Sequence, residues 1–371
     1  MRYKIDEIVQ LIMDYRGKTP KKLGMNWTEN QKDIIALSAK NIKDNKIVNT
    51  DKSHYGSELL YKHWMKDGDI EPGDILMTSE APLGEVYLVS RPIKAILSQR
   101  LFLLRFNKKV VNPWYMYAFM NSQSFKNQLL LRATGTTVVG IKQKDLRKIE
   151  VELPSRELQN KIGSIFQFLY KKIHINGRIN DNLLELMDNL FYNFFPQVNV
   201  GNDLIGSFIQ NYDRFRKPLS KKQRSAISGK YRYIGAASVM DYINKYNFKG
   251  IYLLLGEDGT VVDNKGYPIL QYVFGKFWPN NHTHVLKGKN ISTEWLYLFF
   301  RQRKVLNIVT GAVQKKISQK NLNSLEFSHP NKEDYLKFNE IIQPLFRDIR
   351  IRIKENKRLR QLKQELLKQY F

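Results

Sequence analysis

The 371-residue chain contains no cysteine, which excludes disulfide staples and thiolate metal sites. It has no apolar run approaching the roughly 18–20 residues that a membrane span needs. Its opening, Met1-Arg2-Tyr3-Lys4-Ile5-Asp6-Glu7, carries acid where a secretion signal would carry its apolar segment. A cytoplasmic protein with no membrane partner is the simplest reading. No GxxxxGK element followed by Ser or Thr occurs, so ATP hydrolysis by this chain is not expected. Acid is scarce too: 35 Asp and Glu stand against 61 Lys and Arg, for a net charge of +26.

What is present is core material. Hydrophobic residues make up 42% and aromatics 12%, enough for two or three packed domains at this length. A cationic surplus of this size predicts a polyanionic partner, because each neutralised phosphate releases condensed counterions. The plainer alternative is a basic surface suited to acidic membranes or to solubility. The surplus is uneven: +8 over residues 1–154, +1 over 155–195, +13 over 196–332 and +4 over 333–371. Two basic blocks are therefore separated by a nearly neutral stretch.

The chain repeats itself. Residues 134–195 align with 310–371 at a constant offset of 176 without a gap, with 20 identities in 62 positions, where unrelated sequence would give about four. The pairs include Thr134/Thr310, Gly135/Gly311, Ile141/Ile317, Lys144/Lys320, Leu146/Leu322, Pro154/Pro330, Asn180/Asn356 and Phe195/Phe371. A weaker, drifting repeat reaches back to Tyr15–Lys22 against Arg214–Lys222, and to Gly73–Glu80 against Ile251–Gly259. The plan is two diverged globular blocks, each followed by a copy of one helical module.

Each module has a readable start. Ser155 follows Pro154 and Asn331 follows Pro330, both suited to capping a helix, with Glu157 and Asp334 in the first turns. Ile162, Ile165, Leu169 and Ile173 then recur at helical spacing, as do Leu183 and Leu190 beyond Gly177. Phe338, Ile341, Leu345 and Ile349, followed by Leu359 and Leu366, do the same in the second copy. Such stripes form a seam for a partner helix, so the two helices are expected to pack as an antiparallel coiled coil in a pseudo-twofold particle. The cost of Gly177, roughly 1 kcal/mol against Ala, leaves a bend or break open there; without one, each helix runs about 36 residues. Asn180 and Asn356 hold one seam position, where a polar residue can fix register; two surface asparagines is the equally open alternative.

The fold class read from this is α+β: two mixed α/β domains, each followed by a long helix. Boundaries are read as domain 1–154, helix 155–195, linker 196–202, domain 203–330 and helix 331–371. Strands are expected at 34–37, 75–77, 86–89, 101–104, 252–255 and 269–273, and one helix from Pro113 to Leu131.

Catalytic motifs are mostly missing. Asn112-Pro113-Trp114-Tyr115 superficially resembles an amino-methyltransferase element, but its third residue is wrong and it reads as a helix start. His282 and His284 could share a strand face, yet no third ligand stands at metal-site spacing; a hydrogen-bonding pair on a recognition strand is preferred. Glu257-Asp258-Gly259 reads as a structural turn. Basic loops with threonine and glycine recur instead. Arg16, Lys18, Lys21 and Lys22 match Arg214, Arg216, Lys217, Lys221 and Lys222. Arg132, Thr134, Gly135, Thr136, Thr137, Lys142 and Lys144 match Thr310-Gly311-Ala312, Lys315, Lys316 and Lys320. With Arg100, His282 and His284, these are the candidate DNA-binding residues: charge, hydroxyls and amides hold phosphates while longer side chains reach base edges.

Gly135-Thr136-Thr137, Ile141, Leu146, Leu153-Pro154 and Glu157 resemble the signature closing a target-recognition domain in type I restriction–modification specificity subunits. Asn180, Leu183, Leu190 and Phe195 resemble the end of that family's helix, and Arg16–Pro20, Gly73–Leu76, Gly256–Gly259 and Asn280–Val285 its domain strands. The resemblance covers essentially the whole chain. It departs at Gln159, where the family usually has Glu-Gln after the leucine, and at Ser328-His329-Pro330. It implies a non-catalytic reader of double-stranded DNA, each block reading half of a split target and the helices setting the spacer. It also implies two methyltransferase subunits docked on the helices, and restriction subunits in the full complex. S-adenosylmethionine, ATP and Mg would sit on those partners, with no cofactor in this chain. Two rivals stay open, a standalone nuclease or methyltransferase and a structural or RNA-binding protein with tandem basic domains. Duplex-DNA affinity should fall steeply as salt is raised in a filter-binding series, and a flat response would refute the DNA reading.

Overall fold

Short apolar runs build the same sheet twice. The computed structural model describes residues 1–311 and 313–371, and the chain forms two units, Met1–His174 with Asn356–Phe371, and Ile175–Glu355. In the first unit Val9–Asp14, Leu101–Phe106, Ile75–Thr78 and Val86–Leu88 pair antiparallel in that spatial order. In the second, Ile209–Asn211, Thr283–Gly288, Phe248–Gly256 and Leu270–Pro279 repeat the arrangement. The central strands are apolar without alternation because both faces are covered. Ile75, Met77, Phe102 and Leu104 enter one core, while Leu76, Leu101 and Leu103 enter another.

The units differ in what is inserted around this sheet. The first carries a separate sheet of His54–Gly56, Ile34–Leu37 and Ile96–Leu97, closed around Trp64, which is fully buried. The second widens its central sheet instead: Ser228–Ile234 runs parallel to Leu270–Pro279 and antiparallel to Val239–Ile243.

The expected helix from Pro113 to Leu131 is two helices, Pro113–Asn121 and Gln123–Arg132. Ser122 divides them because its hydroxyl accepts from the Phe125 amide at 3.2 Å and caps the second. Asn112 caps the first through the Trp114 amide at 2.9 Å.

The long helices are Arg156–Phe194 and Lys332–Tyr370, each of 39 residues. Ser155 accepts from the Leu158 amide at 3.3 Å, and Asn331 from the Asp334 amide at 2.8 Å. Of the two courses open at Gly177, the chain takes the continuous helix: the first helix runs through it. Its roughly 1 kcal/mol cost is smaller than the burial of the stripe on either side, at about 1.5–3 kcal/mol per enclosed side chain.

Within the first unit the two helical segments run antiparallel, with the Phe166 and Phe371 rings 6.4 Å apart and Asn356 donating to the Ile173 carbonyl at 3.2 Å. Within the second, Phe191 meets Phe338 at 5.7 Å and Asn176 donates to Glu355 at 2.7 Å. Ile162, Leu169, Phe338, Ile349, Asn180 and Asn356 are buried, while Ile165, Ile173, Leu183, Leu190, Leu345, Leu359 and Leu366 are half-buried. Ile341 departs from the expected seam, at 43% exposure; Ile342 and Phe346 are enclosed instead, as Leu367 is beside Leu366. Spacings of three and four leave adjacent apolar residues equivalent, and the contact with the sheet domain selects between them.

Phe191 is fully enclosed whereas Tyr192 is 65% exposed. Phe191→Ala should therefore cost about 3–5 kcal/mol in denaturant unfolding, and Tyr192→Ala within about 0.5 kcal/mol.

Candidate nucleic-acid interface

In both units the Thr-Gly segment folds as one closed turn. Thr134 and Gly140 exchange backbone hydrogen bonds at 2.8 and 2.9 Å, and Thr310 and Lys316 do so at 2.8 Å each. The glycine is required: at φ +112° a Cβ on Gly135 would stand 2.2 Å from the Val138 carbonyl oxygen. Gly311, at φ +88°, has the same relation to Gln314 at 2.1 Å. Ala312 lies outside the described residues. Each turn hangs from the end of a central strand, through the Ile141 amide to the Ser79 carbonyl at 3.0 Å and the Ile317 amide to the Glu257 carbonyl at 2.9 Å. Thr134, Thr136, Thr137, Thr310 and Lys315 are exposed on these turns, and Lys142, Lys144 and Lys320 are exposed just beyond them.

A cation holds each turn, half-buried in the first unit and buried in the second. Arg16 grips Asp14 with Nε and Nη2, both at 2.7 Å, donates from Nη1 to the Ile141 carbonyl at 3.0 Å, and lies over the Phe102 ring. In the second unit His284 donates from Nε2 to the Ile317 carbonyl at 2.8 Å and from Nδ1 to Asp213 at 2.6 Å. Arg216 bonds Glu257 and the Thr283 carbonyl at 2.6 and 2.7 Å. In Arg16, Arg216 and His284, three of the candidate DNA-binding residues, carboxylates and carbonyls of the fold hold the donors.

Asp213, Glu257 and His284 present ligand atoms within 4.8 Å of one another. They form an ion-pair network with Arg216, since an imidazole donating from both nitrogens has no lone pair to offer a metal. Burial opposes the charge on His284, but Asp213, the Ile317 carbonyl and Glu257 outweigh it and hold the pKa above its ordinary value. Asp213 is pushed up by burial, yet His284, the Val285 amide and Asn211 bring it below the ordinary carboxylate range.

The remaining cations reach solvent. Lys18, Lys21 and Arg100 line one cleft of the first unit. Arg100 pairs with Glu80 at 2.9 Å, and the Lys22 amine donates to the Gly17 carbonyl at 2.8 Å. Arg132 lies at the end of its helix, donating to the Gln128 carbonyl at 3.1 Å. In the second unit Arg214, Lys217, Lys221 and Lys222 are exposed, and Arg214 lies over the Phe215 ring. His282 is half-exposed, 3.9 Å from Asp258, and Lys316 lies 3.6 Å from both Glu257 and Asp258.

Sequence reasoning missed a second patch on the insert of that unit. Tyr231 and Tyr246 meet edge-on at 5.0 Å, with Lys276 over Tyr246 at 4.4 Å and Lys230 over Tyr231 at 5.5 Å. Met240 and Tyr242 are exposed nearby on the same hairpin. The interleaving of lysine with tyrosine in Lys230-Tyr231-Arg232-Tyr233 and Lys245-Tyr246 was its signal.

A duplicated α+β scaffold with cations and threonines on repeated turns is a class of binding protein. The chain belongs to the type I restriction modification DNA specificity domain family, whose model matches residues 1–185 and 208–364; DNA binding follows from that membership. It is 23% identical over 312 residues to the type I restriction enzyme MjaIX specificity subunit of Methanocaldococcus jannaschii, across 75% of this chain and 72% of that protein. A 116-residue segment, 31% of this chain, is 32% identical to a protein described as a type I restriction enzyme specificity subunit in Haemophilus influenzae and spans only 29% of its length. The crystal structure of the type I restriction–modification S subunit from M. genitalium shares the fold, with a TM-score of 0.58 at 15% identity over 100% of this chain and 96% of that one.

The His284 charge stabilises the fold fully below its unfolded pKa of 6.5, and that contribution disappears as pH rises through the raised folded value. Asp213 acts oppositely: its contribution is present above 3.8 and lost as pH falls through the depressed value. Urea midpoints taken between about pH 6 and 9 should fall more steeply for the native chain than for His284→Gln; parallel curves would refute the imidazolium assignment.

Proposed function

We propose that each globular block reads one part of a bipartite DNA target and that the helices dock two methyltransferase subunits. The recognition domains would be residues 1–154 and 203–330, the helical spacers 155–195 and 331–371, and 196–202 the linker. The observation that carries this reading is one sheet and one exposed Thr-Gly turn built twice, with unrelated inserts around them. An invariant frame supports equivalent placement on two half-sites, and differing inserts support different base sequences in each. Phosphate contacts fall to Lys21, Lys22, Lys142, Lys144, Lys217, Lys221, Lys222, Lys315 and Lys320, and the tyrosine–lysine patch adds aromatic surface.

Docking is supported by apolar side chains left in solvent on the long helices: Phe168 at 65%, Ile175 at 51% and Ile351 at 55% exposure. The chain is the non-catalytic reader of a cytoplasmic complex. Methyl transfer from S-adenosylmethionine to a flipped adenine, and ATP- and Mg-dependent translocation and cutting, belong to its partner subunits.

Adenine methylation mapped across a host genome, with the partner methyltransferase present and this chain supplied or omitted, tests the reading. A split motif appearing only with the chain is expected. Lys221→Ala with Lys222→Ala should weaken duplex binding uniformly across sequences and flatten its salt slope by roughly 2. No new methylation by a bound, competent partner would overturn the assignment.

A further inference from the structure

A cleft of about 560 Å³ in the first unit is walled by the insert, within the roughly 300–1,000 Å³ typical of small-ligand sites. Trp27 and His54 stand on its wall, stacked at 5.4 Å with only 8° between their planes. Trp64 supports the pair from the core: it lies 5.4 Å from Trp27, is fully buried, and donates from Nε1 to the Leu97 carbonyl at 2.8 Å. His54 is exposed. A parallel ring pair with an open end accepts a further aromatic plane.

The charge around this stack has one sign. Lys18, Lys21, Lys40 and Arg100 line the cleft, and none of its lining residues is a carboxylate. Lys18 donates to the Trp64 carbonyl and Lys40 to the Lys52 carbonyl, partners that satisfy an ammonium without neutralising it. Among these four cations only Arg100 is in a direct ion pair, with Glu80 at 2.9 Å. Burial, with Lys66 adding repulsion, pushes the Lys18 amine below its ordinary value despite Asp67, a strain that an incoming anion relieves. Asn26, Ser98 and Gln99 add neutral donors and acceptors to the wall. Aromatic stack, uncompensated cations and amide or hydroxyl edges together match the three parts of a nucleotide. The cleft also adjoins the exposed turn, because Glu80, the partner of Arg100, bridges to Gly140.

A paired base shows only its edges, since its faces are covered by its neighbours in the stack. We infer that the cleft takes one unpaired nucleotide, its base stacked on the Trp27–His54 pair and its phosphate among Lys18, Lys21 and Lys40. The inference rests on the DNA-reading function proposed above. The same chemistry can come from a nucleotide displaced from bound duplex or from a free mononucleotide.

The full chain is titrated with two duplexes that share one sequence, one fully paired and one carrying a single unpaired nucleotide. A parallel titration follows tryptophan fluorescence with dAMP. The unpaired nucleotide should tighten binding roughly tenfold, as one base stacked on an aromatic ring does. His54→Ala should abolish that preference while leaving paired-duplex affinity unchanged, and Lys40→Ala should reduce it. Loss of the preference under saturating dAMP assigns the site to a displaced nucleotide; quenching by dAMP with no duplex preference assigns it to a free one. Equal affinity for both duplexes without dAMP quenching overturns the inference. Failure to bind either duplex overturns the DNA-reading function instead, and the dAMP titration then decides for the cleft alone.

Discussion

A helix of 39 residues with an apolar stripe is not stable alone in water, and each unit of this chain is closed by helical segments drawn from distant parts of the sequence. Residues 356–371 complete the first unit, where Leu367 joins the core and Phe371 meets Tyr115 at 5.1 Å. Residues 175–194 complete the second, where Met187 and Phe191 are fully enclosed. The first unit is therefore finished by a segment from the far end of the chain, whereas the second is one contiguous stretch, residues 175–355, closed by the helical segments at its two ends. The burial that stabilises the domains is the same burial that fixes the helices against them.

That arrangement explains where the sequence is free to vary. The strand order, the closed Thr-Gly turn and the carbonyl of Ile141 or Ile317 behind it are held by packing and backbone hydrogen bonds, so they recur in both units. The cation that reaches the carbonyl differs: an arginine from the end of the first strand in one unit, a histidine from a neighbouring strand in the other. Geometry is preserved while the residue that provides it is exchanged. The inserts carry no such constraint, and the two units place unrelated surfaces there, an aromatic cleft in one and a tyrosine–lysine patch in the other.

The network of Asp213, Arg216, Glu257 and His284 shows why charge in a sequence does not by itself mark a ligand site. Two of its cations belong to clusters that read as phosphate contacts, yet burial makes an unpaired charge costly and draws them to carboxylates. Exposed lysines such as Lys21, Lys221 and Lys315 meet no such demand. The distinction is one of solvent access, which depends on strands more than 40 residues away.

The sequence by itself determined the duplication, the two blocks and two helices, the helix caps at Ser155 and Asn331, six of the strand positions, and the family resemblance. Each of these is local or periodic: caps and apolar runs act within a few residues, and a repeat is visible by comparison alone. Only the tertiary structure decided that the helix continues through Gly177, that Ile342 and not Ile341 faces inward, and that Arg16, Arg216 and His284 bond carboxylates and carbonyls of their own units. It alone brought Trp27, His54 and Arg100 to one cleft. Those outcomes depend on contacts between residues far apart in sequence, where burial outweighs local preference and no spacing rule reports which neighbour will arrive.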